Sequence, residues 1–398
     1  RLEDSLAAMR HAVELDPYDA EARLHLGYPL VELGRSAEAE ESFRKAIDLK
    51  PDFAEAHCNL GVVLKELGRL PESETFLRNA IRFKADYAEA HWKLATNLLL
   101  QSRLRDGFEL YEWRWVGTEG QKKYANAFTQ PLWLGEQPLQ GKTILIHAEQ
   151  GLGDTVLFCR YLKLVHDLGA RVVFEVQPAL MPLLADLEGV DELVAKGQPL
   201  PDFDCHCPLL SLPLAFKTDL DSIPDSIPYL SAQPERVLRW ASRLGGHGFK
   251  IGICWKGANA QRSVPLEHFA GLSRIPGVRL ISLQKSAADE ATGNVKVEST
   301  GDDFDTTGAF LDTAAVMTCC DLVITNDTSV AHVAGALGVP TWIALLFVPD
   351  WRWMMDRTDS PWYPTIRLFR QPASGDWTGA FAHMEAALRN QLPHTAQA

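Results

Sequence analysis

The sequence predicts an array of α-helical repeats followed by an α/β unit made of two similar lobes. Its first third is self-similar with a period of 34 residues, since Pro17 recurs as Pro51. The rest alternates short apolar runs, typical of buried strands, with runs of helical periodicity, which predicts parallel sheets covered by helices. Two strand-to-helix turns, at 151–155 and 327–332, each carry an acidic residue. They predict two Rossmann-like lobes that face one cleft, and such a cleft suits a phosphate-bearing ligand.

Composition limits the function classes. The chain has 398 residues, enough for two or three domains, and 46% of them are hydrophobic, enough for packed cores. Its net charge is -13 and it has no block of Lys and Arg, so a nucleic-acid partner is not expected. No apolar run approaches the roughly 18 residues of a membrane span. The seven cysteines lack zinc-finger spacing and are odd in number, which favours reduced thiols and a cytoplasmic location.

Near copies of one segment, at 16–22, 50–56 and 84–90, define the repeat. Small residues recur at fixed places, such as Gly27 and Gly61, where they are expected to let paired helices approach closely. This period, with Leu-Gly, Ala, Phe and Pro in these places, resembles the tetratricopeptide repeat. The resemblance implies that the array binds a peptide or protein on its concave face. The alternative is a rigid spacer.

The α/β part is predicted to divide into two lobes with a hinge near 231–248, and a ligand is expected between them at the carboxyl ends of the strands. The predicted strands cover 142–147, 171–176, 250–255, 278–284, 321–325 and 341–346. The helices after the two turns are predicted at 156–168 and 328–337. The predicted bounds are 1–119 for the repeats, 120–140 for a linker, 141–235 for the first lobe and 248–398 for the second lobe.

The second turn carries a specific resemblance. Residues 327–340 read Asp-Thr-Ser-Val-Ala-His-Val-Ala-Gly-Ala-Leu-Gly-Val-Pro and resemble the nucleotide-sugar-binding motif of the heptosyltransferase-like glycosyltransferases, which form family 9 and have the two-lobed GT-B fold. Residues 149–154 are similar to that family's first Gly-rich turn, and residues 255–269 to its phosphate-binding loop. The resemblance covers roughly residues 141–371. Repeats fused to a GT-B unit also resemble protein O-GlcNAc transferases in architecture, whereas lipopolysaccharide heptosyltransferases lack such repeats.

The resemblance implies that Asp154 is the general base, because the family's catalytic acid stands at this place in the first turn. Glycosyl transfer needs a carboxylate to take the proton of the acceptor hydroxyl while C1 of the sugar becomes cationic. A second, compatible role for Asp154 is to cap the following helix. Gln150, Gly151 and Gly153 form the turn, and the two glycines are expected to let a ligand approach the backbone. The alternative is a tight turn without a ligand.

The second lobe is predicted to bind the donor. Thr328 and Ser329 open a helix and are expected to hold the diphosphate with their hydroxyl and backbone N–H groups. Asp327 would repel phosphate, so we assign it to sugar hydroxyls or to capping of the turn. His332 lies one helical turn further and is expected to donate to phosphate or sugar. A packed core histidine is the alternative.

Two cations and two tryptophans complete the predicted site. Lys256 and Arg262 are expected to neutralise the leaving nucleoside diphosphate, with surface cations on a loop as the alternative. Trp351 or Trp353 is a candidate to stack on a base or sugar ring, although we favour rings that pack a lobe interface. Gln284, at the end of a predicted strand, is a further candidate for contact with the ribose or base.

The acidic residues Asp302, Asp303 and Asp305 are interpreted as a solvated loop rather than a metal site, so metal-independent chemistry is predicted. Residues 205–207, Cys-His-Cys, offer too few ligands for zinc. No cofactor is expected beyond a nucleotide-diphosphate sugar as co-substrate. The predicted function is that of an inverting hexosyl- or heptosyltransferase whose acceptor, a protein or peptide hydroxyl, is presented by the repeats. The alternative is a catalytically inactive repeat scaffold for protein–protein interaction.

Overall fold

The computed structural model describes residues 1–117, 128–257, 262–284 and 294–392. It divides into two compact units, of which the first comprises Arg1–Thr129 and Asp350–Met355 and the second comprises Gln130–Pro349 and Asp356–Ala398. The first unit contains the repeats and the second contains the two α/β lobes. No helix within the described ranges combines the length and the apolar character that crossing a lipid bilayer requires.

The repeat unit consists of consecutive helices that pack in pairs. They are α1 (Leu2–Leu15), α2 (Ala20–Glu32), α3 (Ser36–Leu49), α4 (Ala54–Glu66), α5 (Leu70–Phe83), α6 (Ala88–Leu100), α7 (Leu104–Tyr111) and α8 (Arg114–Gly117). Glycines allow the close packing, since a Cβ on Gly61 of α4 would lie 2.7 Å from Cγ of Leu77 in α5. The recurring small residues of the sequence therefore serve close helix packing, as predicted.

The first lobe is a parallel sheet with strands in the order β3-β2-β1-β4. Its strands are β1 (Thr143–His147), β2 (Arg171–Val176), β3 (Glu192–Ala195) and β4 (Cys205–Pro208). Its helices are α9 (Leu152–Phe158), α10 (Leu162–Asp167) and α11 (Leu212–Ala215). The central strand β1 is buried on both faces, which explains its continuous apolar run in the sequence.

The second lobe is a larger parallel sheet in the order β10-β9-β8-β5-β6-β7. Its strands are β5 (Phe249–Cys254), β6 (Val278–Ser282), β7 (Val297–Glu298), β8 (Leu322–Asn326), β9 (Thr341–Leu345) and β10 (Ile366–Arg370). Its helices are α12 (Pro234–Leu244), α13 (Ala270–Ser273), α14 (Leu311–Thr318), α15 (Ser329–Ala336) and α16 (Trp377–Gln391).

Both sheets reverse their strand order beside their first strand, because β1 lies between β2 and β4, and β5 lies between β6 and β8. Numbered from its own first strand, the second sheet has the order 3-2-1-4-5-6 of a Rossmann fold. Ligands of such sheets bind at the carboxyl ends of the strands next to the reversal. The first-lobe turn (residues 151–155) follows β1 after residues 148–150, and the second-lobe turn (residues 327–332) follows β8, so both turns lie at such a position.

Three stretches differ from the sequence-based expectations. The helix predicted at 156–168 is divided into α9, a 3₁₀ turn at Cys159–Tyr161, and α10. The predicted hinge near 231–248 contains α12, whose Trp240 Nε1 donates to Asp312 of α14 at 2.9 Å. In the predicted linker 120–140, of which 120–127 lie outside the described residues, Trp133 N–H donates to the carbonyl of His206 in β4. Tertiary hydrogen bonds of this kind leave no periodic signal in the sequence.

The acidic loop at 302–305 is only partly solvated. Asp302 and Asp303 are exposed, and Asp303 pairs with Arg243 at 3.0 Å. Asp305 is buried, and its carboxylate accepts the N–H of Asp312 at 2.7 Å and that of Thr313 at 3.2 Å. The expectation of a solvated Asp305 was therefore wrong, because this side chain satisfies backbone donors at the start of α14.

Candidate active site

The first-lobe turn is closed by its own acidic residue. Asp154, in the first turn of α9, accepts the N–H of Gly151 at 2.8 Å through Oδ2. Gln150 stands at φ 60°, a left-handed conformation that is uncommon for a residue other than glycine and is enriched at functional turns. Glu149 is buried and accepts the N–H of Leu210 at 3.2 Å, which joins the turn to the end of β4. Asp154 therefore contributes to capping from the third position of α9, whereas the sequence suggested a capping residue before the helix, a place that Gly151 takes. Its role as base stays a prediction.

Gly153 lets two helices from different lobes approach each other. A Cβ at this position would lie 2.8 Å from Cδ2 of His332 and 3.4 Å from Cα of Ser329, both in α15. The sequence led us to expect close approach of a ligand to this glycine. The structure shows close approach of α15, and contact with a ligand stays a prediction.

In the second lobe, one side chain joins the loop after β5 to the strand β8. Asn326, the last residue of β8, donates from Nδ2 to the carbonyl of Trp255 at 3.2 Å and to that of Arg262 at 2.6 Å. Gln284, after β6, accepts the N–H of Lys256 at 3.1 Å through Oε1. The loop that carries Lys256 and Arg262 is therefore hydrogen-bonded on both sides of β5. Asn326 bonds it from the end of β8, and Gln284 bonds it from the residues after β6.

The second-lobe turn places polar groups at the start of α15. Thr328 is the residue that caps this helix, in an extended conformation, yet its side chain makes no capping hydrogen bond. Ser329 is the first helical residue and is partly exposed. Asp327 pairs with Arg262 at 3.5 Å, and the Arg262 side chain is 41% exposed. Since the first N–H groups of a helix lack helical acceptors, this end of α15 suits an anion.

His332 is a buried residue with a defined polar partner. It is 4% exposed, and its Nδ1 lies 3.1 Å from the hydroxyl of Tyr363. Burial holds the pKa of Tyr363 well above its ordinary value, so this hydroxyl stays protonated. The hydroxyl of Tyr229 lies 3.4 Å from that of Tyr363. His332 is therefore buried, as the alternative of a packed core histidine expects. Its contact with phosphate or sugar stays a prediction.

Trp351 and Trp353 belong to the compact unit of the repeats. The ring of Trp351 meets those of Phe108 and Tyr111 edge-on, with centroids 5.8 and 5.7 Å apart. Trp351 is 6% exposed and Trp353 is fully buried. Trp351 therefore packs against a repeat helix rather than at a lobe interface, and Trp353 is buried in the same unit, which favours packing over stacking on a donor ring.

Several residues of this region were not identified from the sequence. Asn326, Tyr363 and Arg160 have no motif of their own. Arg160 is 6% exposed and donates to the carbonyls of Pro224 at 3.2 Å and Trp362 at 2.6 Å. Only Asn326 has a usable signal, because an amide side chain directly before the acid of a strand-to-helix turn lies at the edge where ligands bind.

Metal-binding groups were also considered. Among the described His, Cys, Asp and Glu side chains, no group of three is placed to hold a metal ion. Within residues 205–207, His206 Nδ1 lies 3.2 Å from Nε2 of His147 at the end of β1. Burial lowers the pKa of His206, so this imidazole is neutral at pH 7.

Comparison with known proteins gives the same two-part organisation. Residues 27–68 match the sequence profile of the TPR repeat, and residues 54–87 match that of the tetratricopeptide repeat. Residues 241–347 match the profile of glycosyltransferase family 9 (heptosyltransferase). This last stretch contains both the loop after β5 and the second-lobe turn.

Protein FlbA of Caulobacter vibrioides is 28% identical over 328 residues, which are 74% of this chain and 54% of FlbA. The chain therefore spans about half the length of this curated relative. A solved glycosyl transferase family 9 from Veillonella parvula is 16% identical, with 64% of this chain and 98% of that chain covered and a TM-score of 0.47. The E. coli ADP-heptose lps heptosyltransferase II is 13% identical, with 63% and 99% covered and a TM-score of 0.47.

Proposed function

We propose that this chain, which combines tetratricopeptide repeats with a glycosyltransferase family 9 region, moves a sugar from a nucleotide-diphosphate sugar to an acceptor hydroxyl. The observation that supports this most is the junction made by Asn326, which holds the loop after β5 beside the second-lobe turn inside the family 9 region. Two cations, two hydroxyls and the N-terminus of α15 thereby come from neighbouring strands of one sheet.

The donor is proposed to bind by its diphosphate in the second lobe. Lys256 is exposed, and Arg262 faces Asp327 across an ion pair. A bound diphosphate would replace Asp327 as the anionic partner of Arg262. Thr328 and Ser329 would donate hydrogen bonds to the remaining phosphate oxygens. Asp327 would then be available to the hydroxyls of the sugar.

The transfer step is proposed to be an inverting displacement. The acceptor oxygen forms a bond to C1 of the sugar as the bond between C1 and the diphosphate oxygen breaks. Asp154 takes the proton of the acceptor hydroxyl, and the leaving diphosphate carries away the bonding electrons with Lys256 and Arg262 balancing its charge. Positioned cations and a general base are the chain's own contributions to this chemistry, and no metal is included in the proposal.

The acceptor is proposed to be a protein or peptide hydroxyl recruited by the repeats. The match to tetratricopeptide repeats supports a role in protein interaction. We place the reaction in the cytoplasm, as the cysteine count of the sequence predicts. The proposed sugar is a hexose or a heptose, and a donor screen decides between them.

Calorimetry on the whole chain with UDP-, ADP- and GDP-sugars tests the proposal, with CMP-sugars, which carry a single phosphate, as the control. A turnover assay with the donor that binds follows. We expect one nucleotide class to bind and its sugar to be transferred to a peptide or, more slowly, to water. Lack of binding by every donor would contradict the proposal and favour the alternative, in which the α/β unit is an inactive part of a protein-interaction scaffold.

A further inference from the structure

Both candidate phosphate cations lie at the ends of one loop. Lys256 and Arg262 follow β5, and residues 258–261 between them lie outside the described residues. We call the described ends of this loop, residues 255–257 and 262–264, its neck. The placement of the two cations depends on what holds the neck closed.

The two sides of the neck touch each other. Val264 N–H donates to the carbonyl of Trp255 at 2.8 Å, and Gly257 N–H donates to Ser263 Oγ at 3.0 Å. A Cβ on Gly257 would lie 2.7 Å from Cβ of Arg262, so the chain returns at close range. These bonds close the neck but do not fix it to the sheet.

Asn326 attaches the neck to the sheet. It donates to one carbonyl on each side, that of Trp255 at 3.2 Å and that of Arg262 at 2.6 Å. It is 1% exposed and ends β8, which pairs directly with β5. Both partners are carbonyl oxygens, which fixes the amide with its nitrogen toward them. Its Oδ1 has no hydrogen-bond partner among the described residues, so the side chain acts here as a donor alone.

We propose that Asn326 is a positioning residue that sets the affinity for the donor by holding Lys256 and Arg262 beside the N-terminus of α15. This inference rests on the proposed function. A loop already held in its binding geometry binds more tightly than one that must be ordered when the ligand arrives. Asn326 acts through the neck, so its main effect is on donor binding, and any effect on the transfer step comes through the placement of Lys256 and Arg262.

Two variants separate the donated hydrogen bonds from the shape of the side chain. Asn326→Asp keeps the shape but turns a carboxylate toward two carbonyls, and Asn326→Leu removes the donor without adding charge. In both, we expect the Kd of UDP, ADP or GDP, whichever the wild type binds, to rise roughly tenfold, since two hydrogen bonds are lost. The kcat at saturating donor should fall by a smaller factor than the Kd rises, because the bound diphosphate itself helps to order Lys256 and Arg262.

Asn97 offers a matched control in the repeats. It is also fully buried, donates from Nδ2 to the carbonyl of Leu70 at 3.1 Å, and has an Oδ1 without a partner among the described residues. Asn97→Leu should also lower the thermal midpoint, because it loses a buried hydrogen bond, yet leave the Kd unchanged. An equal rise of the Kd in Asn97→Leu would show that general loss of stability explains the effect, which would overturn the proposal.

Hydrogen exchange at the Val264 N–H reports on the neck without any ligand. Faster exchange in both Asn326 variants than in the wild type and Asn97→Leu supports the proposal. An unchanged Kd in both Asn326 variants, or a rise in Asn326→Asp alone, overturns it, because the latter is an effect of charge. If the wild type binds none of the three diphosphates, the proposed function fails, and the exchange result still decides separately whether Asn326 holds the neck.

Discussion

The two strand-to-helix turns use an acidic residue in opposite ways. In the first lobe, Asp154 lies inside the helix and accepts the N–H of Gly151, so the start of α9 is filled by the chain's own carboxylate. In the second lobe, Asp327 lies before the helix and pairs with Arg262, while the side chain of Thr328 makes no capping bond. The first helix start is therefore closed by a side chain, whereas the second has no capping bond from Thr328 and is the one that we propose binds an anion.

This difference supports our proposal that the base and the donor site of a transferase lie in different lobes. A helix end that already holds a carboxylate repels a phosphate but presents a proton acceptor. A helix end without such a side chain, next to cations, attracts a phosphate. Variants at both turns test whether the base lies in the first lobe and the donor site in the second, and the largest effect is expected at Asp154.

The first prediction separates the cap from the base at Asp154. Asp154→Asn keeps an oxygen that can accept the N–H of Gly151 but loses basicity, so kcat should fall by about 10²–10⁴-fold with little change in stability. Asp154→Ala loses both functions and should also lower the free energy of unfolding by about 1 kcal/mol. Steady-state kinetics and urea unfolding of both variants measure the two effects. Normal turnover in Asp154→Asn would remove this residue from the mechanism.

The second prediction concerns the cations of the second lobe. Lys256→Ala and Arg262→Ala should each weaken donor binding by roughly 10- to 100-fold, since a hydrogen bond to a charged group contributes about 1.5–3 kcal/mol. The effect should shrink as salt concentration rises. Calorimetry with the nucleoside diphosphate at two ionic strengths measures it. Lys163→Ala, which removes an exposed lysine paired with Glu188, is the control and should bind as the wild type does.

The third prediction concerns the approach of the two helices. Gly153→Ala places a methyl group 2.8 Å from the imidazole of His332, which Tyr363 holds in place. It should destabilise the α/β unit by about 1–3 kcal/mol. In Gly151→Ala the new methyl meets only Asp154 Oδ2, at 3.1 Å, and φ is -85°, so this control should be tolerated. Equal unfolding curves for the two variants would contradict the packing role of Gly153.

The fourth prediction has the smallest expected effect and concerns the hydroxyl of Thr328 at the start of α15. Thr328→Val removes a hydroxyl that does not cap α15 and lies 3.3 Å from the hydroxyl of Thr325, so the free energy of unfolding should fall by only about 0.5 kcal/mol, the low end for one hydrogen bond. Donor affinity should nevertheless fall about threefold to tenfold through the loss of one hydrogen bond to phosphate. Thermal unfolding and calorimetry on the same preparation test both parts. A large loss of stability would show that Thr328 has a structural role like that of Asp154.

Much of the architecture could be predicted from the sequence because it is encoded locally. The repeat period, the buried strands and the two turns follow from the spacing of apolar, glycine and proline residues. The predicted strand at 250–255 is β5, displaced by one residue at each end. The interrupted helix around Cys159–Tyr161 and the helix α12 in the predicted hinge were missed, because bonds to distant segments decide them.

Some features of the candidate site likewise follow from the sequence, and others depend on the tertiary structure. The sequence by itself determined that two strand-to-helix turns exist, which residues they carry, and that cations follow the strand β5. Only the tertiary structure decided that Arg262 faces Asp327, that Gly153 faces α15, that Trp351 packs among the repeats, and that Asn326 holds the neck. The physical reason is that strand and helix propensities depend on neighbours in sequence, whereas the partner of a side chain depends on which strands the sheet places side by side.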